Sequence, residues 1–418
     1  MKIEELYKYY KQHFLVDTDT RSIRKNTIFF ALKGPNFNGN AFAEKALDAG
    51  AIFSIVEEPI YVTKPTILLV ENVLETLQKL ANYHRKQLNI PIIGLTGSNG
   101  KTTTKELIHA VISKKYKTVA TLGNLNNHIG VPLTLLSMNA DTEIGIVEMG
   151  ANHQKEIELL THICAPNLGY VTNFGKAHLE GFRGVEGVIK GKSELYTYLK
   201  NEGGIAIVNP DDKIQLEKTK EIERIFFEKE LTLKKTNPFV EVNYKSISIK
   251  SKMIGTYNFT NICAAVTFGQ YFGLESIDIK DALESYIHSN NRSQVIKKAT
   301  HRIILDAYNA NPTSMKAAID SFEMMEGKNK VLILGDMFEL GEFEFEEHQK
   351  IASLTLTANF KTVFFVGELF HKVATDYLQF KEFNDLKKHL KTQDLSNSTI
   401  LIKGSRGMQL ERVLELLN

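Results

Sequence analysis

Ile92-Ile93-Gly94-Leu95-Thr96-Gly97-Ser98-Asn99-Gly100-Lys101-Thr102-Thr103-Thr104 carries an apolar strand into a glycine-rich turn and then into a helix. The helix is marked by apolar residues at Leu107, Ile108, Val111 and Ile112, on one face at helical spacing. This strand-turn-helix setting makes the segment a phosphate-binding loop rather than a string match. Gly94, Gly97 and Gly100 let backbone N–H groups converge on an anion. Lys101 supplies a point charge for the outer phosphates, and Thr102 a hydroxyl for Mg²⁺. Leu95 stands where the usual pattern has its first glycine, which leaves a plain glycine-rich turn as the simpler alternative.

Outward from the loop, strands and helices alternate. Ile144 to Val147 stops at Glu148, Leu168 to Thr172 at Asn173, and Ile205 to Val208 at Asn209-Pro210, which predicts a parallel sheet covered by helices over 87–295. The lysine-rich, β-branched stretch 219–252 breaks the rhythm and reads as an antiparallel excursion. Residues 1–86 read as a small mixed α/β domain, with strands at Thr27 to Leu32, Ile52 to Val56 and Ile67 to Val70. Its helices fall near Ala41 to Ala49 and Val73 to Leu88, and the second leads to a hinge at Pro91. A second α/β series over 296–418 has strands at Ile303 to Leu305, Val331 to Leu334, Val363 to Val366 and Thr399 to Ile402. It predicts a Rossmann-like doubly wound domain whose ligands bind at the carboxyl ends of its strands, facing the first series across a cleft.

The chain has 418 residues, enough for two or three domains at about 150 each. Lys plus Arg number 51 and Asp plus Glu 49, so charge gives no reason to expect nucleic acid or a membrane surface as partner. Only Cys164 and Cys263 occur, which argues against a disulfide framework or a cysteine metal cluster and fits a reducing, cytoplasmic setting. Met1-Lys2-Ile3-Glu4-Glu5 lacks the basic and apolar character of a signal peptide, and no apolar run approaches membrane-spanning length.

Glu148 ends an apolar strand about fifty residues beyond the loop. It either holds Mg²⁺ beside the phosphates or caps the next helix, and the upstream loop favours the metal. His178, in Thr172-Asn173-Phe174-Gly175-Lys176-Ala177-His178, is by itself more often a packed or surface residue than a ligand. Lys190-Gly191-Lys192 places two cations near a site already rich in them, and a solvated helix face is the simpler account. Tyr308-Asn309-Ala310-Asn311-Pro312 offers amides to a peptide-like substrate, or is an ordinary turn before a helix opened by Pro312. Lys403-Gly404-Ser405-Arg406-Gly407 suits an anion or a structural turn equally.

In order along nearly the whole chain these segments resemble the Mur ligases of bacterial cell-wall synthesis. Thr96 to Thr103, Glu148-Met149-Gly150, Thr172-Asn173 to His178 and Gly255-Thr256-Tyr257-Asn258-Phe259-Thr260-Asn261 carry the general likeness. Tyr308 to Pro312, Leu334-Gly335-Asp336-Met337-Phe338-Glu339-Leu340-Gly341 and Lys403 to Met408 select the branch that adds D-alanyl-D-alanine. The displaced glycine is that family's own version of the loop.

The resemblance implies an ATP-dependent amide ligase joining D-alanyl-D-alanine to UDP-N-acetylmuramoyl-tripeptide through an acyl phosphate, acting as a monomer. It implies that Thr96, Gly97, Ser98, Asn99, Gly100, Lys101, Thr102 and Thr103 bind ATP with Asn258, Asn261, Arg292 and Asp306. Two Mg²⁺ ions would be held by Thr102, Glu148, His178 and a carbamate formed from CO₂ on Lys192, Lys190 being its near neighbour in sequence. Asp19-Thr20-Arg21, Lys33 and Asn38 match UDP-sugar segments, with Thr20 in place of the usual serine, and Asn38 and Asn40 where Asp and His are common. Asn309, Asn311, Lys403, Ser405 and Arg406 fall on the dipeptide side. Another Mur enzyme, a folylpolyglutamate synthase, a P-loop ATPase switch that forms no bond, and a catalytically dead binding module are the alternatives.

Overall fold

Apolar runs with no polar alternation belong in strands buried on both faces. The computed structural model describes residues 1–287, 292–358 and 360–417, and in it the residues of Ile92–Thr96, Ile144–Glu148 and Leu168–Val171 are all buried. They are three of the four inner strands of a six-stranded sheet ordered Glu223–Phe226, Ile205–Val208, Leu168–Val171, Ile92–Thr96, Ile144–Glu148, Thr118–Ala120. Every neighbour in it is parallel. From Ile92–Thr96 the chain first builds one edge and then, from Leu168–Val171, the other. The winding therefore reverses beside the phosphate loop, where a parallel sheet opens a crevice at its strand ends.

The antiparallel expectation for 219–252 holds only in part. Glu223–Phe226 pairs parallel with Ile205–Val208, because the short helix Lys213–Lys218 lies between them and supplies the crossover that parallel pairing requires. The antiparallel sheet is confined to Leu231–Lys235, Glu241–Tyr244 and Ile247–Lys250. Its Val242, Tyr244 and Ile249 share a core with Ile93, Leu95 and Val111.

The N-terminal sheet is parallel throughout, in the order Val16–Asp17, Ile28–Phe30, Phe53–Val56, Ile67–Leu69. Its last helix, Val73–Leu88, is started by Asn72, whose side chain accepts from Glu75 N at 2.8 Å, and stopped by Asn89 in the left-handed region at φ 49°. This helix is welded to the central domain. The Arg85 guanidinium donates to the Ala165 carbonyl at 3.0 Å and to Asn167 Oδ1 at 2.6 Å.

His84 adds a pH-sensitive contact to the same weld. Its Nε2 donates to Met138 O at 3.0 Å, so Nδ1 accepts from Tyr7 OH at 3.3 Å. Burial pulls its pKa from 6.5 to about 4. The unfolded chain therefore takes up this proton near 6.5 while the folded chain refuses it until about 4, so stability present above pH 6.5 is lost as the pH falls through that window. Thermal unfolding across pH 4–7 should show a loss of up to about 3 kcal/mol in the wild type that is missing in His84→Gln. Parallel curves for the two proteins would refute it.

In the last domain the order is Gln294–Lys298, His301–Asp306, Thr399–Lys403, Lys330–Gly335, Thr362–Val366, Leu378–Phe380, with only the first pair antiparallel. The last strand in sequence inserts between the two that open the parallel series. Asp306 is thereby registered against Lys403, and Lys403 against Leu334, so the three polar strand ends become neighbours. Among the described residues no helix is long and apolar enough to cross a membrane.

Candidate active site

The phosphate loop is shaped by two glycines that no other residue replaces. Gly97 sits at φ 140°, where a Cβ would fall 2.0 Å from Thr172 Oγ1, and Gly100 at φ 79° would press on Asn261 Oδ1. The loop is strapped to the end of the neighbouring strand. Ser98 N donates to Asn173 O at 3.0 Å, Asn99 N to Asn173 Oδ1 at 3.2 Å, and Thr172 Oγ1 to Asn99 O at 2.6 Å. Lys101 Nζ folds back on the loop, donating to Gly97 O at 2.7 Å and Ser98 O at 3.2 Å. Burial lowers its pKa to about 8, against the pull of Glu148 and with the help of the Arg292 charge. Thr96 and Thr103 are buried in the strand and helix that flank the loop.

Glu148 emerges from the adjacent strand, 1% exposed. Its Oε1 accepts from Thr102 Oγ1 at 3.2 Å and Asn126 Nδ2 at 2.8 Å, while among the described residues Oε2 has no hydrogen-bond donor and lies 3.8 Å from Lys105 Nζ. A buried carboxylate oxygen without a donor, beside a threonine hydroxyl, suits a hard cation such as Mg²⁺. Among the described residues no three His, Cys, Asp or Glu side chains form a cage.

The structure separates the two lysines that spacing leaves paired. Lys190 is exposed, whereas Lys192 is 1% exposed, with Nζ donating to Ala151 O at 3.0 Å and lying 4.9 Å from the centre of the Phe182 ring. Burial, reinforced by the Lys101 charge, drives its pKa well below the ordinary lysine value. His178, at φ 53°, reaches the same cavity as the loop, its Nδ1 against the Glu339 carboxylate of the last domain.

The last domain closes the site directly. Asn311 caps the helix Pro312–Met324: its Oδ1 accepts from Ser314 N at 2.9 Å, and Ser314 Oγ accepts from Asn311 N at 3.1 Å. Its remaining amide hydrogens point away from the cap, and Nδ2 donates to Asn99 Oδ1 in the phosphate loop at 2.7 Å. The two roles are separable. Asn311→Ala should lose about 1 kcal/mol of stability together with activity, while Asn311→Ser keeps the cap and loses only the loop contact. Melting curves beside phosphate-release rates test this, and equal activity in the serine variant and wild type would remove the contact from catalysis.

The remaining sequence candidates take several places. Asp306 accepts from Lys403 Nζ at 2.6 Å and from Ser293 N at 3.2 Å, so Lys403, expected on the substrate, is engaged by a carboxylate. Arg292 stacks on the Tyr308 ring at 3.8 Å, with Arg406 5.3 Å from the same ring. Asn258 and Asn261 bond to each other at 2.8 Å, and Asn261 accepts from Thr104 in the loop helix at 3.0 Å. Asn309 Oδ1 accepts from its neighbour Ala310 N, and buried Ser405 accepts from Phe338 N at 3.0 Å, a backbone-fixing role.

A cavity of about 720 Å³ joins these groups, lined by the loop from Ser98 to Thr103, by Glu148, His178, Asn258 and Asn261, and by Arg292, Asp306, Asn309, Asn311 and Lys403. Lys192, Ser405 and Arg406 are not in its wall, and neither are the N-terminal candidates. Arg21 is forked to Asp19, Lys33 bridges Glu57 and Glu58, Asn38 donates to Glu58 at 3.1 Å, and Thr20 is half-buried beside them in sequence. Sequence reasoning missed the wall made by Asn124, Asn126, Asn127 and His128. Three asparagines in four residues just past the strand Thr118–Ala120 were the available signal.

Residues 95–269 match the Mur ligase middle domain, and 291–406 the Mur ligase glutamate ligase domain. The chain is 34% identical to the UDP-N-acetylmuramoyl-tripeptide–D-alanyl-D-alanine ligase of Bacillus subtilis (strain 168), over 96% of this chain and 92% of the relative. It belongs to the Mur ligase family. Crystal structure I of MurF from Acinetobacter baumannii superposes with a TM-score of 0.86 at 31% identity, covering 96% of this chain and 92% of that one. MurF ligase from Thermotoga maritima in complex with ADP gives 0.85 at 28% identity and 96% of both chains. The phosphate loop, Glu148 and the capped Asn311 thus stand in the middle and last domains of a Mur ligase fold.

Proposed function

We propose that this Mur ligase joins D-alanyl-D-alanine to UDP-N-acetylmuramoyl-tripeptide at the expense of ATP, forming the pentapeptide precursor of peptidoglycan in the cytoplasm. The observation that carries the reading is the 2.7 Å bond from Asn311 to Asn99. It brings the segment matched to the dipeptide-adding branch onto the loop that would hold the γ-phosphate, so acyl activation and amine attack share one cavity.

A carboxylate is a poor acyl donor because an amine would have to expel oxide. In the first step a tripeptide carboxylate oxygen bonds to the γ-phosphorus and the bond to ADP breaks. In the second, the dipeptide amine bonds to the acyl carbon, the C–O bond to phosphate breaks, and the nitrogen gives up its proton. Lys101, released from the Gly97 and Ser98 carbonyls, turns its charge to the migrating phosphoryl group. Asn99 and Asn311 hold the two domains together over the reacting atoms and keep out water that would hydrolyse the acyl phosphate. Mg²⁺, for which Thr102, Glu148, His178 and a carbamate on Lys192 are the proposed ligands of two ions, would neutralise phosphate charge when bound.

Lys192 suits the carbamate because burial and the nearby Lys101 charge favour its neutral amine, the form that attacks CO₂; its nitrogen gains the C–N bond and loses a proton. Thr20, Arg21, Lys33 and Asn38 would serve the UDP-sugar, apart from the reacting atoms. Phosphate release should depend on ATP, a UDP-tripeptide and D-alanyl-D-alanine together, assayed with a diaminopimelate and a lysine form of the tripeptide. ATP hydrolysis indifferent to the dipeptide, with no amide product, would make the chain an ATPase switch instead.

A further inference from the structure

The Leu334 to Gly341 segment crosses from the last domain to the central one, and its backbone is fixed before it does so. Asp336 accepts from Leu369 N and Phe370 N at 2.9 Å each, His348 Nε2 accepts from Met337 N at 3.0 Å, and Ser405 Oγ accepts from Phe338 N at 3.0 Å. The next residue is Glu339. It stands in the left-handed region at φ 63°, and the residue it meets, His178, does so at φ 53°. Left-handed backbone is costly for both residue types and persists where surrounding contacts enforce it.

Those contacts are on either side of the pair. Glu180 N donates to Glu339 O at 3.2 Å, and Gly341, at φ 57°, packs so closely on Glu180 that a Cβ there would lie 3.1 Å from the Glu180 side chain. On the other side, Lys176 N donates to Thr313 Oγ1 at 2.8 Å and Lys176 Nζ to Glu347 at 2.6 Å. The segment carrying His178 is thus gripped by three elements of the last domain, and the Glu339 carboxylate it receives lies against one ring nitrogen, Nδ1, a buried atom with no other hydrogen-bond partner among the described residues.

We propose that Glu339 is a positioning residue for His178. By accepting the Nδ1 proton it fixes the imidazole tautomer in which Nε2 carries the lone pair, leaving that nitrogen to the cavity and to a metal ion. A carboxylate or carbonyl on the far nitrogen is the usual way a histidine ligand is oriented and made more basic. Here the carboxylate belongs to a different domain from the histidine, so the ring is set only when the last domain is seated. Glu339 is half exposed, and a charged hydrogen-bonding contact in that position contributes little stability. Its effect is on geometry.

The inference rests on the metal reading of His178, and the test keeps the two apart. Mn²⁺ binding to the full chain with a non-hydrolysable ATP analogue is followed by electron paramagnetic resonance, alongside melting temperature. Glu339→Ala should melt as the wild type does and bind Mn²⁺ about tenfold more weakly. Glu339→Gln, whose amide oxygen still accepts the Nδ1 proton, should retain most of the affinity, and Glu339→Ala should add nothing to His178→Ala. Wild-type affinity in Glu339→Ala, an equal loss in the glutamine variant, or additive losses in the double variant would overturn the positioning role alone. Failure of the wild type to bind Mn²⁺ with the analogue would overturn the metal reading and this proposal with it.

Discussion

Lys101→Ala is expected to fold normally and to lose ligation, with phosphate release reduced at least about 100-fold, the cost of removing one preorganised charge from a site where negative charge develops. The fold should survive because, among the described residues, the Lys101 ammonium bonds only the carbonyls of its own loop. Burial lowers its pKa to about 8, so the charge is held at a cost that a bound phosphate would offset. Turnover near the wild-type rate, measured at saturating ATP, would remove Lys101 from phosphoryl transfer. A drop in melting temperature matching the lost activity would reassign it to structure.

Lys192→Ala should be nearly as damaging, by about 100-fold or more if its carbamate completes the metal set. The wild type should lose activity reversibly when CO₂ and bicarbonate are stripped from the buffer and regain it on their return. The cause lies in burial: an amine taken out of water, with the Lys101 charge nearby, is poorly stabilised as an ammonium. Full activity in the alanine variant would sink the assignment. Because the side chain is buried, Lys192→Met is the companion variant, preserving volume while removing the amine; equal loss in both separates chemistry from packing.

Some elements were legible because a local rule sufficed. The loop at Gly97 to Thr102, the buried strands on either side of it, and the helix opened by Pro312 each follow from residue type and spacing. The edge strand Glu223–Phe226 was not legible, since it alternates weakly and its direction depends on a crossover elsewhere in the chain. The wall at Asn124 to His128 was overlooked for a related reason. Asparagines after a strand read as a turn until Asn126 is seen bonding Glu148, 22 residues away. Lys190 and Lys192 were equivalent in sequence, and only burial separates them.

The sequence alone determined that a phosphate loop opens a parallel α/β domain and that a second α/β series follows, because strand burial, glycine geometry and helix capping act within a few residues of one another; the Mur ligase reading came from the resemblance of its motifs, in order, to that family. Tertiary structure decided what lies against the loop. It inserted Thr399–Lys403 beside His301–Asp306, engaged Lys403 with Asp306, seated Asn311 on Asn99, and turned Glu339 to His178. These partners lie from 97 to more than 200 residues apart in sequence. No local pattern encodes such pairings; they follow from which sheet edges and domain faces can be buried together.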